Sequence, residues 1–323
     1  MEVIKYKNKD IEALKILEDF LPDKIIDAHA HISGSVFLPS GENDKKSSAC
    51  FEIFRSEMSR MLCNPSQLKC NMIPFPDKRM CNQDGTFLNA CDKYIISYLE
   101  NNPGNVGEIM VLPSESAESI EKRLVHPSIK GFKCYHTLAD APVTNQLAPW
   151  AYLSESAWQV AEKNGMCITL HLVKNKALSD RGNMEYIKTM AARYPNAKLI
   201  LAHCARAFAA WTCIEAIEEL IPFESVFFDF SAICEPTAMI HLLNKVGVER
   251  CMWGSDFPVC ASRGKAISVA DGFLWLSDND FPENRIIGIE NLMAVRLACI
   301  ISGLKKRETE KLFYETASEF WCI

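Results

Sequence analysis

The sequence predicts an α/β fold, a (β/α)8 barrel of the TIM type, and three observations carry that expectation. Eight short apolar, strand-like runs recur along the 323 residues. Amphipathic helical stretches separate the later runs, and five of the runs end in or next to a His, Lys or Asp. Near-continuous apolar strands alternating with helices imply a parallel sheet covered by helices, and eight such units imply closure into a barrel.

A helical leader over 10–20 precedes the first strand. The strand-like runs fall at 24–28, 71–75, 108–112, 129–135, 166–172, 198–202, 226–230 and 250–254. The second is interrupted by Pro74, and the third is flanked by Gly107 and Pro113. Helical periodicity marks 154–164, 183–194 and 237–245. Between the first run and Asn71 lie about forty residues, where a βα loop usually has two to six. That stretch opens on ISGSVFLPSGEN and reads as helical over 48–63; a second polar loop covers 77–86. Both leave the C-terminal face of a barrel. Residues 33–70 are therefore read as an insertion in the first βα loop, acting as a lid, within one catalytic domain of residues 1–323.

Hydrophobic residues make up 48% of the chain, enough for a large closed core, and the net charge is −6. An acidic balance leaves no electrostatic footprint for nucleic acid or an anionic membrane. No run approaches the roughly 18 apolar residues of a membrane span. The N-terminal MEVIKYKNKDIEALK carries charges throughout and lacks the apolar core of a secretion signal. Fourteen cysteines without a Cys-x-x-Cys pair, with Cys134, Cys167, Cys204 and Cys251 in or beside apolar runs, read as reduced core thiols. A cytoplasmic enzyme with a small-molecule substrate, and room for a homo-oligomer, is the expectation.

The chemistry sits at the strand ends. In IIDAHAH, His29 and His31 are two residues apart on a strand, so both imidazoles face one way and suit one metal ion. Asp27 stands two residues earlier as a partner for the imidazoles. His171 and His203 end the fifth and sixth runs, and Asp256 in WGSDFPV follows the eighth. A carboxylate there suits metal ligation and the general-base role. Lys133 inside GFKCY is costly to bury unless its amine is paired or modified. It is carboxylated and bridges two metals, binds an anionic substrate, or extends to the barrel rim. His136 lines the mouth of the site, whereas His126 and His241 read as structural.

HAH on the first strand, GFKCY on the fourth, LHL on the fifth, AHC on the sixth and GSDFP on the eighth together resemble the amidohydrolase superfamily, in its amidohydrolase-2 (amidohydrolase-related) branch. YPNAKLILAHCAR and the Asn-containing IIGIENLMAVRL extend the resemblance, with Leu292 where Ala is usual. The similarity spans roughly 25–297 and leaves 33–70 uncovered. It implies a metal-dependent barrel, usually with zinc. His29, His31, His171 and Asp256 correspond to the ligands of one ion, and His203 to a residue that binds a second ion or polarises a substrate carbonyl. Lys133 stands where two-metal relatives carry a carboxylated lysine, so a second ion accompanies that modification. The implied reaction is attack of an activated water on an amide, lactone or ester, with Asp256 accepting its proton. Nonoxidative decarboxylation by a lyase of the same branch is the alternative, followed by a non-catalytic metal-binding barrel. Arg181, Arg206 and Arg263 fall just after the fifth, sixth and eighth strands. With Lys133 they suit an anionic substrate, and Arg206 with Lys133 is the pair assigned to it.

Overall fold

The computed structural model describes residues 4–33, 49–82, 84–277 and 279–323. Eight strands follow one another around a single sheet: β1 (Lys24–His31), β2 (Gln67–Ile73), β3 (Val106–Met110), β4 (Ile129–Cys134), β5 (Cys167–Leu170), β6 (Lys198–Leu201), β7 (Val226–Asp229) and β8 (Cys251–Met252). Every neighbouring pair is parallel. The residues just after β8 close the ring onto β1. Ala28 N–H donates to the Trp253 carbonyl (3.0 Å), His31 N–H to that of Phe257 (2.8 Å), and Asp256 N–H to that of His29 (2.8 Å).

Helices α1 (Asn8–Glu18), α2 (Phe51–Met61), α3 (Thr86–Asn101), α4 (Ala117–Arg123), α5 (Glu155–Asn164) and α6 (Arg181–Arg193) precede β1 and join the first six strands. Side-chain caps set several of these boundaries. Ser154 accepts from Ala157 N–H ahead of α5, Gly165 ends that helix at φ 62°, and Asp180 accepts from Asn183 N–H ahead of α6. Helices Pro236–Val246 and Ile287–Ile301 follow β7 and β8. A hairpin of β9 (Gly264–Val269) and β10 (Gly272–Ser277), not anticipated from the sequence, lies between β8 and the last of these.

Strands buried on both faces serve two cores. The barrel interior is filled by Ile26, Ala28, Val106, Cys167, Ile200 and Met252, and sealed below by Phe320 and Trp321 of the C-terminal helix Thr316–Trp321. The larger core lies between strands and helices. Gly131 on β4 has no alternative in this packing, because a Cβ there would meet the Cys167 sulfur at 2.3 Å and its carbonyl oxygen at 2.7 Å. All fourteen cysteines are free, and Cys134, Cys167, Cys204 and Cys251 are buried as expected. Among the described residues no helix is long and apolar enough to cross a membrane.

The expected insertion over 33–70 needs correction. β2 begins at Gln67, and α2 is the barrel's own helix between β1 and β2, with Phe51, Phe54, Met58 and Met61 buried in the larger core. The polar residues that open β2 hid its start, since Gln67 and Lys69 lie on a half-covered end. Residues 34–48, and with them the rest of the expected lid, lie outside the described residues. Because Phe54 is 1% exposed, Phe54→Ala should lower stability by about 3–5 kcal/mol. Urea denaturation measures this; an unchanged midpoint would mean that α2 is detachable after all.

Candidate metal centre

The bases that converge at the C-terminal end of the barrel come from both sides of its closure. The ligand atoms of His29, His31 and Asp256 all lie within 4.8 Å of one another, and all three residues are buried. The two Nε2 atoms are 3.3 Å apart, and Asp256 Oδ1 is 3.7 Å from that of His29 and 3.5 Å from that of His31. β1 supplies both histidines on one face, as their spacing requires. Gly254 lets the other side approach, since a Cβ there would lie 2.9 Å from His29 Cβ. Asp256 sits in the left-handed region (φ 58°), which Asp tolerates better than most residues.

Hydrogen bonds fix which nitrogen faces inward. His29 Nδ1–H donates to Asp229 Oδ2 (2.9 Å), and His31 Nδ1–H to the Pro74 carbonyl (3.3 Å). Both inward Nε2 atoms are left as lone pairs, a tautomer assigned from these partners. Burial, reinforced by nearby Lys133 and for His31 by His29, holds both imidazoles below their ordinary pKa, in the neutral form that binds metals. Two lone pairs and the Asp256 carboxyl, whose pKa burial pushes well above its ordinary value, thus crowd one point, with the Lys133 amine 3.4 Å from one of the lone pairs. Crowding of that kind is relieved by a cation between them, and the N/N/O donor set fits a divalent ion.

Asp229, at the end of β7, is a residue that sequence reasoning missed. Its Oδ2 takes His29 Nδ1–H, while Oδ1 accepts from the backbone N–H of His203 (3.0 Å) and of Ser231 (3.1 Å) and from the Ser231 hydroxyl. Burial pushes its pKa up, but the attraction of His29, the bond from it, and the His203 and Ser231 contacts outweigh that and hold it well below the carboxylate range. The signal was present: VFFDF is another apolar run ending in an acid. Asp27, expected to support the imidazoles, does something else. Its Oδ1 accepts from the backbone N–H of His29 (3.0 Å) and Ser255 (2.8 Å), tying β1 to the loop after β8.

His203 opens a left-handed turn in which His203, Cys204, Ala205 and Arg206 have φ of 57°, 51°, 60° and 62°. Such backbone costs about 1–2 kcal/mol per residue outside glycine. The Asp229 bond and Ser231, whose carbonyl and hydroxyl lie 3.0 and 2.9 Å from His203 Nδ1, hold the turn in place. The His203 ring stacks on His29 at 5.1 Å, and burial lowers its pKa to about 3. His171 is not part of the convergent triad. Its ring packs edge-on to His203 at 5.0 Å, beside Tyr135 (5.3 Å) and His136 (6.3 Å).

Lys133 is fully buried at the end of β4, with Nζ 3.4 Å from His29 Nε2. Burial lowers its pKa; Glu108, Asp229 and Asp256 pull the other way. Glu108, also missed, accepts from Asn71 Nδ2 (2.7 Å) and the Thr169 hydroxyl (2.6 Å) in the barrel interior. Arg206 lies half-buried over the Phe273 ring (5.5 Å), with Nε lacking a partner among the described residues. The other two arginines are not at the site. Arg181 is exposed and pairs with Glu185 and Glu219, and Arg263 binds buried Asp10 and the Lys5 carbonyl. His126 accepts from Ser128 N–H, and His241 lies on helix Pro236–Val246; neither joins the site.

The chain matches the amidohydrolase family over residues 26–322. Among solved structures it is similar to an amidohydrolase from Burkholderia multivorans with bound zinc (14% identity, TM-score 0.58, 93% of this chain and 99% of that one). It is also similar to 5-carboxyvanillate decarboxylase from Sphingomonas paucimobilis (14% identity, TM-score 0.56, 93% and 99%). A third structure, from Pseudomonas putida and named for 2-pyrone-4,6-dicarboxylic acid hydrolase, shares 16% identity at a TM-score of 0.57, over 94% and 98%. At these identities the likeness is one of fold. No curated protein matches the chain. The family match over nearly the whole barrel, joined to a buried His-His-Asp centre at its C-terminal end, places this chain in the amidohydrolase family of metal-dependent hydrolases.

Proposed function

We propose that the protein hydrolyses a C–N or C–O bond (amide, lactone or ester) of a small anionic substrate, using one zinc ion held by His29, His31 and Asp256 with His171 as fourth ligand. The observation that carries this is the facing pair of Nε2 lone pairs, 3.3 Å apart and beside Asp256, each locked by an acceptor behind its ring. A divalent ion bound there supplies Lewis acidity, which lowers the pKa of a water and polarises a carbonyl. The chain's own residues supply the rest. Asp256 accepts the proton of the attacking water. His203, neutral with its proton held on Nδ1 by the Ser231 carbonyl, presents an Nε2 lone pair to the site, where it accepts a proton from the water or substrate. Lys133 and Arg206 read the anionic group of the substrate.

The relatives' names support the anionic class and the metal: one is named for a dicarboxylic acid hydrolase, and another holds zinc. A single ion also suits Lys133 as an ammonium. Asp229, Asp256 and Glu108 surround it, and carboxylation would replace the one cation among them by a further acid unless a metal cation arrived with it. We read residues 1–323 as one catalytic unit. Fourteen free thiols suit a reducing compartment and hence the cytoplasm.

Metal analysis of the purified protein tests the centre. His31→Ala should lose the ion, and Asp229→Asn should weaken its affinity by roughly 10–100-fold through the lost support of His29. Full metal retention in His31→Ala would reject the ligand set.

Kinetics on a panel of anionic and neutral lactones, esters and amides test the reaction. Arg206→Ala should raise KM by roughly ten- to a hundredfold on anionic substrates, the loss expected for one charge-assisted contact. A preference for neutral substrates would reject the anion assignment. Release of carbon dioxide from aromatic carboxylates, without hydrolysis of any panel member, would move the chemistry to C–C cleavage.

A further inference from the structure

The opposite end of the barrel carries a cavity of about 530 Å³. It lies at the N-terminal ends of β4, β5 and β6, far along the same strands from Lys133, His171 and His203, and the C-terminal helix closes one side. None of its described lining residues is acidic, although the chain has a net charge of −6. Its side chains offer donors instead. The Lys130 side chain makes no ion pair or hydrogen bond among the described residues, and the residue is half-buried. Lys198 is held in place by the Phe320 carbonyl (2.7 Å) and the Phe320 ring (4.6 Å), with two of its three protons left over. His126 accepts from Ser128 N–H through Nδ1, so in its neutral form the proton sits on Nε2, a donor. Trp321 is 3% exposed, and its indole N–H reaches no oxygen or nitrogen acceptor; it faces only the Cys167 thiol, a weak one.

Cationic and N–H donors that outnumber acceptors in a concave site select an anion. The remaining wall is largely apolar, with Leu124, Val125 and Met166 among its residues. We propose that this cavity binds a small carboxylate with an apolar body, its carboxylate between Lys130 and Lys198 and its body against the wall to which Trp321 belongs. The site is separate from the metal centre, and the inference does not rest on the reaction proposed above.

Titration of the full-length, metal-containing protein with benzoate, followed by the indole ¹H–¹⁵N resonances, tests this. The Trp321 resonance, assigned by its loss in Trp321→Phe, should move and saturate. Lys130→Glu should weaken the binding by roughly tenfold or more. Arg206→Ala should leave it unchanged, which separates this site from benzoate held near the metal. Inorganic phosphate, which has the charge without the apolar body, should move the resonance far less at equal concentration. A Trp321 signal that stays fixed, a Lys130→Glu protein that titrates like wild type, or an equal response to phosphate would overturn the proposal. Should Trp321→Phe fail to fold, calorimetry of benzoate binding to wild type, Lys130→Glu and Arg206→Ala decides the matter by the same criteria.

Discussion

The site depends on one buried carboxylate. Asp229 binds His29 through one oxygen, and through the other the His203 backbone and both polar groups of Ser231. An ionised carboxylate taken out of water costs several kcal/mol unless hydrogen bonds replace its hydration. Here the replacement is complete enough that the carboxyl stays ionised well below its ordinary pKa despite full burial. One group thereby sets the tautomer of a ligand histidine and pins a strained turn on the neighbouring strand. Its position at the end of β7, beside β6 and two strands from β1 around the closed ring, makes both contacts available at once.

Closure of the barrel is the second constraint, because the triad straddles the seam. β8 is only two residues long, and the backbone after it pairs with β1 through Trp253, Asp256 and Phe257 rather than through a regular ladder. Asp27 accepts from both sides of the seam, and Gly254 allows the chains to approach. Asn291 braces the seam from behind. Its amide donates to the carbonyls of Phe230 (2.6 Å) and Ile233 (2.8 Å), and its oxygen accepts from the Trp253 indole (3.0 Å). The left-handed conformation of Asp256 persists because its own N–H and the flanking residues are all held.

Much of this was legible in the sequence, and the reason is periodicity. Alternating strands and helices fixed the number of barrel units, and the i, i+2 spacing of His29 and His31 placed both on one face whatever their partners. Lys133, His171, His203 and Asp256 were legible because each ends or follows an apolar run. What the pattern could not give is partnership between distant residues. Arg181 and Arg263 occupy the same kind of position as Arg206, but Glu219 and Asp10, remote in sequence, capture them. Asp27 was assigned by proximity to the rings, whereas the carboxylate that meets His29 lies 200 residues away. α2 was read as part of an insertion because β2 opens on polar residues, which mask where the strand begins.

The barrel interior shows why a lysine tolerates a place that sequence alone marks as costly. Below the metal-type centre the interior changes from apolar filler to a polar layer of Asn71, Glu108, Lys133 and Thr169, all buried. Glu108 is drawn up to a pKa of about 7 by burial, while the Thr169 bond, Lys133 and Asn71 pull it back. Lys133 is drawn down by the same burial and held up chiefly by Glu108. Opposite charges at this depth interact strongly across a poorly screened medium, so each lessens the other's desolvation cost. Gly131 and Cys167 set the floor of that layer, with the Cys167 thiol donating to Glu108 (3.8 Å) and leaving no space for a larger residue at 131. The amine is thus held beneath His29 by packing from below and by charge from three sides, rather than left to extend toward solvent.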